Sequence, residues 1–186
     1  STVTNALFLS GGVKESGSLR KISINRGGKI ISNFDLYDLL LYGDNSGDIR
    51  LQQGDIIFIP SKGKTVSISG EVNRAFRFEV LEKDSITELL DYSGGFKPTA
   101  FQEQAQIRRI TDNGAYKILD VDLSNLNELS NRLSQGDAFF IPSVNESYED
   151  SVIVSGSFRR PGFYQWKDGM TLQDLIEKSG GMIANA

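Results

Sequence analysis

The 186-residue chain contains neither cysteine nor histidine. Without cysteine it can form no disulfide bond and no thiolate metal site, and without histidine it lacks the commonest general base and metal ligand. No apolar run approaches the roughly 18 residues of a membrane-spanning helix. These absences argue against an enzyme, a metal site and a membrane-spanning segment, and nothing in the composition indicates a cofactor.

The N-terminus also lacks the charged and apolar segments of a signal peptide. Residues 1–4 instead begin abruptly inside a helix-like pattern. We therefore expect the chain to be part of a longer protein, with any signal or anchor outside it.

Acidic residues outnumber basic ones. The chain has 24 Asp and Glu against 20 Lys and Arg, which gives a net charge of −4. Proteins that bind nucleic acid usually present a basic face, because phosphate neutralisation supplies most of their affinity. The charge balance therefore disfavours a nucleic-acid partner, while 39% apolar and 24% charged residues are typical of a globular protein.

The most informative stretch is 155–181, SGSFRRPGFYQWKDGMTLQDLIEKSGG. Its composition predicts a strand that ends at Gly156, a tight turn at Pro161-Gly162 and a short aromatic strand over 163–166. These features together predict a β-hairpin.

A helix is predicted directly after this hairpin. Thr171 is a good N-cap residue, and Asp174 lies at the spacing of a capping box. The pair Gly180-Gly181 suits the left-handed residues that end many helices. The stretch is therefore a hairpin followed by a helix.

The same pattern occurs more than once in the chain. LQQGDIIFIP (51–60) recurs as LSQGDAFFIP (133–142), and SISG (67–70) recurs as IVSG (153–156). Glycine pairs end a predicted helix at three places: 11–12, 94–95 and 180–181. Such self-similarity at a fixed spacing indicates tandem structural repeats.

The repeats are staggered relative to the ends of the chain. Residues 1–62 form a partial unit without its first hairpin, residues 63–143 a complete unit, and residues 151–186 a partial unit without its closing strands. The complete unit has a hairpin, a helix capped by Ser85 and Glu88, and then further strands. That order predicts an α+β fold of tandem β-grasp (ubiquitin-like) units.

Three motifs carry a resemblance to a known family. They are Gly156…Arg160-Pro161-Gly162…Tyr164 with the following capped helix, the twice-occurring LxxGDxxxIP strand, and Ser18-Leu19-Arg20 with Asp35-Leu36-Tyr37-Asp38-Leu39-Leu40. They resemble the soluble ligand-binding β-grasp (SLBB) domain of bacterial outer-membrane polysaccharide export proteins. The second unit differs from the motif, since it has Ala75-Phe76 where the third has Pro161-Gly162.

The resemblance implies a non-catalytic part of a capsular or exopolysaccharide export protein. Such a protein would lie in the periplasm, associate with the outer membrane at full length, form homo-oligomeric rings around the polysaccharide, and meet an inner-membrane export partner. A small-ligand-binding module is the alternative. A DNA-handling domain, as in competence proteins, would need a basic surface and a helix-hairpin-helix, neither of which is visible.

Aromatic residues of the third hairpin are the candidate polysaccharide contacts. Tyr164 and Trp166 share one face of the strand, and Arg159 and Arg160 lie nearby to attract an acidic polymer. Aromatic residues on strands are more often packed in a core or across a strand pair. We expect no catalytic, metal-binding or cofactor-binding residue.

Other recurring positions are predicted to be structural. Gly54-Asp55 and Gly136-Asp137 suggest turns before buried strands, and the basic turn 26–29 suggests a hairpin. The structural motif positions are Gly11, Gly12, Gly54, Asp55, Gly94, Gly95, Gly136, Asp137, Pro161, Gly162, Gly180 and Gly181.

The stagger predicts unpaired sheet edges, which favour pairing with another chain. We expect residues 1–60 to accept the hairpin 151–166 of a neighbouring copy, or else the terminal segments to be loosely ordered.

Overall fold

The computed structural model describes residues 1–144 and 149–183. Within these ranges the helices are α1 (Val3–Leu9), α2 (Leu36–Tyr42), α3 (Ile86–Tyr92), α4 (Leu126–Leu129) and α5 (Leu172–Lys178), with a 3₁₀ turn at Gln102–Gln104. The strands are β1 (Ile22–Arg26), β2 (Lys29–Phe34), β3 (Ile56–Phe58), β4 (Thr65–Gly70), β5 (Phe76–Glu79), β6 (Ala105–Ile110), β7 (Tyr116–Val121), β8 (Ala138–Ile141), β9 (Ser151–Val154) and β10 (Gly162–Gln165). This mixture confirms the predicted α+β class.

The chain divides into two compact units after Val144. The repeat boundary predicted at residue 62 lies inside the first of them. The division into one complete and two partial repeats stays a prediction from the sequence pattern. No helix in the described ranges is both long and apolar enough to cross a bilayer.

A five-stranded sheet in the order β5-β4-β8-β6-β7 forms the centre of the first unit. Strands β4 and β8 are parallel, and the other neighbouring pairs are antiparallel. Helix α3 follows the β4–β5 hairpin and supplies the buried residues Ile86, Leu89 and Leu90 to the shared core. A helix enclosed by a mixed sheet, with the last strand beside the first, is the β-grasp arrangement.

A three-stranded sheet in the order β2-β1-β3 precedes it in the chain. Its order and antiparallel senses match those of β7-β6-β8 in the larger sheet. Its core is small and separate, with Val3 and Leu7 of α1 packed against Ile22, Ile24 and Phe34.

Strand β3 departs from the prediction of a buried strand. Ile56 and Phe58 are exposed. The equivalent strand β8 lies between β4 and β6, whereas β3 is at the edge of its sheet and has β1 as its neighbour. The outward-facing Phe58 and Phe140 are exposed in both strands, but the inward-facing Ile57 and Ile59 are half-buried where Phe139 and Ile141 are buried. Position in the sheet therefore decides the burial of the inward-facing residues.

The third hairpin pairs β9 with β10, and α5 follows it. The predicted tight turn at Pro161-Gly162 is wrong, because Gly162 already pairs with Val154 across the ladder and the connection runs over 155–161. The backbone N–H groups of Arg159 and Arg160 donate to the carbonyls at the end of α5. These hydrogen bonds fix the connection as a loop against the end of the helix, so it does not form a tight turn.

The glycine pairs end helices as predicted. Gly12, Gly95 and Gly181 have positive φ and donate their N–H groups to the carbonyl five residues earlier. This is the long hydrogen bond of a helix C-terminal cap. The capping boxes at Ser85 and Thr171 are also present.

Candidate functional site

The candidate contact residues of the third hairpin are held by backbone hydrogen bonds. Arg159 donates its N–H to the carbonyl of Gly181 at 3.0 Å, and Arg160 donates to that of Ser179 at 3.0 Å. The Tyr164 hydroxyl donates to the carbonyl of Arg160 at 2.5 Å. The structure therefore joins Tyr164 to the arginine loop.

Trp166 lies just beyond β10 and is 43% exposed. Its backbone N–H donates to the carbonyl of Asp150 at 2.6 Å. No hydrogen bond or ring contact among the described residues connects its side chain to Arg159 or Arg160. A polysaccharide contact at these four residues stays a prediction.

The two Gly-Asp turns each contain an ion pair. Arg26 donates to both carboxylate oxygens of Asp55, at 2.7 and 2.8 Å. Arg109 does the same to Asp137, at 2.8 and 2.7 Å. Sequence reasoning predicted the turns but missed the arginines. Their spacing of 83 residues, close to the spacing of the aspartates, was the available signal.

The hydrogen bonds from Arg26 and from the Gln52 backbone lower the pKa of Asp55 to about 2. Each aspartate also accepts the N–H three residues earlier, which closes its turn. No cluster of three or more metal-ligating side chains occurs in the part of the chain that the structure describes. These carboxylates are thus occupied by arginine and backbone donors.

Arg20 connects the two sheets of the first compact unit. Its side chain is 6% exposed, and it donates to Asp35 at 3.0 Å and to Asp84 at 2.5 Å. It also donates to the Tyr92 hydroxyl at 2.9 Å and lies over the rings of Tyr37 and Tyr92, at 4.8 and 5.0 Å from their centroids. One guanidinium group therefore contacts elements that lie far apart in sequence.

Burial opposes the charge on Arg20, but the surrounding Asp35, Tyr92 and Asp84 outweigh it and raise its pKa. Burial raises the pKa of Asp35. Burial also raises the pKa of Tyr92, which keeps its hydroxyl protonated and able to donate to Asp84 at 2.9 Å. The cluster is a satisfied buried network.

Glu79 extends this network along the same junction. Its buried carboxylate accepts from the Ser18 hydroxyl at 2.7 Å and from the N–H groups of Leu19 and Gly63, both at 2.8 Å. The Glu79 N–H in turn donates to the Tyr37 hydroxyl at 2.9 Å. We call Arg20, Tyr37, Glu79, Asp84 and Tyr92 the junction cluster.

The junction cluster has no counterpart one repeat further along the sequence. The aligned positions are Glu103, Ser124, Gln165, Met170 and Lys178. None of the five residue types is kept. The motifs at 18–20 and 35–40 carry the family resemblance in the sequence, but no spacing in the sequence indicated their acidic partners in the next repeat.

Gly70 and Gly156 occupy the same place in two repeats. Both have positive φ, +88° and +94°. A Cβ at Gly70 would lie 2.0 Å from the Ile141 carbonyl oxygen of β8, whereas a Cβ at Gly156 would meet nothing within 4 Å. The end of β9 therefore has the backbone shape that, at Gly70, accommodates a parallel closing strand.

The hairpin-helix segments match a known family model. Residues 65–116 and 151–186 match the SLBB domain. This match confirms the predicted resemblance to the SLBB domain over these two segments. The first segment covers most of the β-grasp unit, including the β4–β5 hairpin and α3, and the second covers β9, β10 and α5.

The chain is also similar to proteins of Escherichia coli. Two of them, each named polysialic acid transport protein KpsD, are 35% identical to it over 94 residues. The alignment covers 50% of this chain and 17% of the relative. The matched stretch is thus about a sixth of those proteins.

Proposed function

We propose that this SLBB-containing chain is a non-catalytic, periplasmic part of a bacterial protein that exports capsular polysaccharide or exopolysaccharide. The observation that carries the proposal is the 35% identity to a polysialic acid transport protein, in a chain with two SLBB segments. The full-length protein would associate with the outer membrane, form homo-oligomers and meet an inner-membrane export partner.

The junction cluster supports a mechanical role for the first two repeats. A flexible pair of domains would expose polar linker surface, but here Arg20 and Glu79 are buried and hydrogen-bonded across the junction. Removing one partner of such a network leaves an unpaired buried charge, which is costly. Residues 1–144 would therefore act as one rigid block in the wall of an export assembly.

Arg159, Arg160, Tyr164 and Trp166 remain a proposed contact with the polysaccharide. Both arginines are exposed, and Trp166 presents an apolar ring surface to solvent. This face would meet the polymer if it lines the export path.

The test is made in the bacterium that encodes the full-length protein. Replacing Arg20 by Ala should break the block, leave less polysaccharide at the cell surface and retain polymer inside the cell. Glu82→Ala, at a largely exposed side chain, is the matched control and should export normally. Normal surface polysaccharide after in-frame deletion of the segment 63–143 would overturn the proposal.

The same strains separate the alternative functions. A deletion that abolishes DNA uptake and spares polysaccharide would indicate a competence-type domain. A deletion that changes neither, in a protein that retains a small molecule through purification, would indicate a small-ligand-binding module.

A further inference from the structure

The face of the five-stranded sheet opposite α3 carries an uncovered row of side chains. Ladder registers place Arg77, Ser67, Ala138, Arg108 and Ile118 side by side across all five strands. Their neighbours in sequence point to the other face, as the burial of Ile68, Ile107 and Phe139 shows. We call this surface the open face.

The open face contains a shallow groove of about 290 Å³. Ala138 is among its lining residues, and Ser69 and Gln106 flank Phe140 as its partners on the neighbouring strands. Phe140 is 49% exposed. The groove is therefore lined by both polar and apolar side chains.

Aromatic and aliphatic side chains border the groove on β7. Tyr116 is 67% exposed and Ile118 is 55% exposed. The Arg108 guanidinium lies 5.2 Å from the centroid of the Tyr116 ring. A cation held over an aromatic ring keeps a defined position while its remaining donors stay available.

Arg108 and Arg77 differ from the arginines of the Gly-Asp turns and of the junction cluster. Arg20, Arg26 and Arg109 each form an ion pair with an aspartate. No ion pair to Arg77 or Arg108 occurs in residues 1–144 or 149–183. Three strand spacings separate them, which is about 14 Å.

Few negative charges face this surface. Asp120 shares the face and accepts from Gln106 at 3.1 Å. Glu79 is buried, and its carboxylate already accepts hydrogen bonds in the junction cluster. In a chain of net charge −4, the open face thus presents two unpaired guanidinium groups.

We propose that the open face binds a carboxylate-bearing saccharide of two or more units. Arg108 and Arg77 would pair with successive carboxylates, since guanidinium and carboxylate match in a bidentate geometry. Tyr116, Ile118 and Phe140 would cover the apolar C–H faces of the sugar rings. This inference rests on the proposed function and identifies its ligand as acidic.

The three-stranded sheet offers an internal comparison. Its aligned positions keep the exposed apolar pair, as Ile31 and Phe58, but carry Asn25 in place of Arg108 and Lys29 in place of Tyr116. We therefore expect the saccharide to bind the five-stranded sheet more tightly than the three-stranded sheet.

The experiment is an NMR titration of the isotopically labelled 186-residue chain with a sialic acid trimer, with neutral maltotriose as the control ligand. Shift changes should centre on Arg108, Tyr116 and Phe140. Arg108→Gln should weaken binding about tenfold, whereas Arg132→Gln, at an exposed arginine outside both candidate sites, should leave it unchanged. Thermal unfolding verifies that each variant is folded.

Several results would overturn this site. They are undiminished binding by folded Arg108→Gln, equal shifts with maltotriose, and an equal loss of binding in folded Arg132→Gln. Self-association that protects the open face without saccharide would assign it to an interface between copies. Normal polysaccharide export by a full-length protein with both Arg77→Gln and Arg108→Gln would reject the site and leave the proposed function standing.

Discussion

Gly70 lies where β4 passes closest to β8. Its φ of +88° belongs to the left-handed region, and its missing Cβ leaves room for the Ile141 carbonyl. Gly70→Ala combines backbone strain with a steric clash, so we expect a loss of about 2–5 kcal/mol in the free energy of unfolding. Chemical denaturation of the first compact unit measures this loss.

Gly95→Ala separates the two contributions. Gly95 also has positive φ, but a Cβ there would meet nothing within 4 Å. Its replacement should cost only the backbone term, about 1–2 kcal/mol. Equal losses in the two variants would show that the close approach of Ile141 carries no weight.

Asp55 gives the stability of the first unit a dependence on acid. Hydrogen bonds from Arg26 and Gln52 depress its pKa from 3.8 to about 2 in the folded chain. The stabilisation is therefore complete above the unfolded value and is lost as the pH falls from about 4 towards 2. Asp55→Asn should make the unfolding free energy less steep across this window. A slope equal to that of the wild type would contradict the assignment.

The junction cluster acts at the scale of whole elements, because it joins the hairpin β1–β2 and helix α2 to β5 and α3. Arg20→Ala would leave Asp84, whose side chain is 1% exposed, without its cation. We expect a loss of about 3–5 kcal/mol in unfolding free energy. Amide hydrogen exchange measured at increasing denaturant concentration should show that residues 1–62 unfold at a lower concentration than residues 63–143.

Arg26→Ala is the matched control for Arg20→Ala. Arg26→Ala also leaves an aspartate without its cation, and the Asp55 side chain is 2% exposed. The Arg26 side chain that covers it is 36% exposed, so its removal opens Asp55 to water. Its effect should be smaller and confined to the first sheet. If Arg20→Ala left the two segments unfolding together at wild-type stability, the cluster would not be what joins them.

At the scale of the whole molecule, the prediction of exchange between copies concerns the open edge of β3. In the larger sheet, Ser69 of β4 pairs with Phe140 of β8 in a parallel register. The aligned residues are Ser155 and Phe58, so β9 of one copy would lie beside β3 of another. Because the chain has no cysteine, Phe58→Cys with Ser155→Cys should give a disulfide-linked oligomer under mild oxidation.

The control pairs Ser155→Cys with Ile31→Cys, which lies on the strand at the opposite edge of that sheet. This variant should stay monomeric on a non-reducing gel. A monomer in solution whose amides over 151–166 are fully protected from exchange would reject strand exchange.

Local features were predictable to within a few residues. The capping boxes at Ser85 and Thr171, and the hairpin that precedes each of them, lie where the pattern placed them. Each depends on neighbours within four residues or on alternation along one strand. The loop 155–161 was misjudged because its shape depends on bonds to the end of α5, a different element.

The sequence by itself determined the repeats, the hairpin-helix order and the α+β class, because periodic apolar residues, turn glycines and caps act locally. The tertiary structure alone decided which charges meet. Arg20 and Asp84 are 64 residues apart, and Ser18 and Glu79 are 61 apart. Folding also made β8 a central strand and β3 an edge, although their sequences are alike. The inward-facing residues of the two strands differ in burial for this reason, because burial depends on the neighbouring strands that the whole sheet provides.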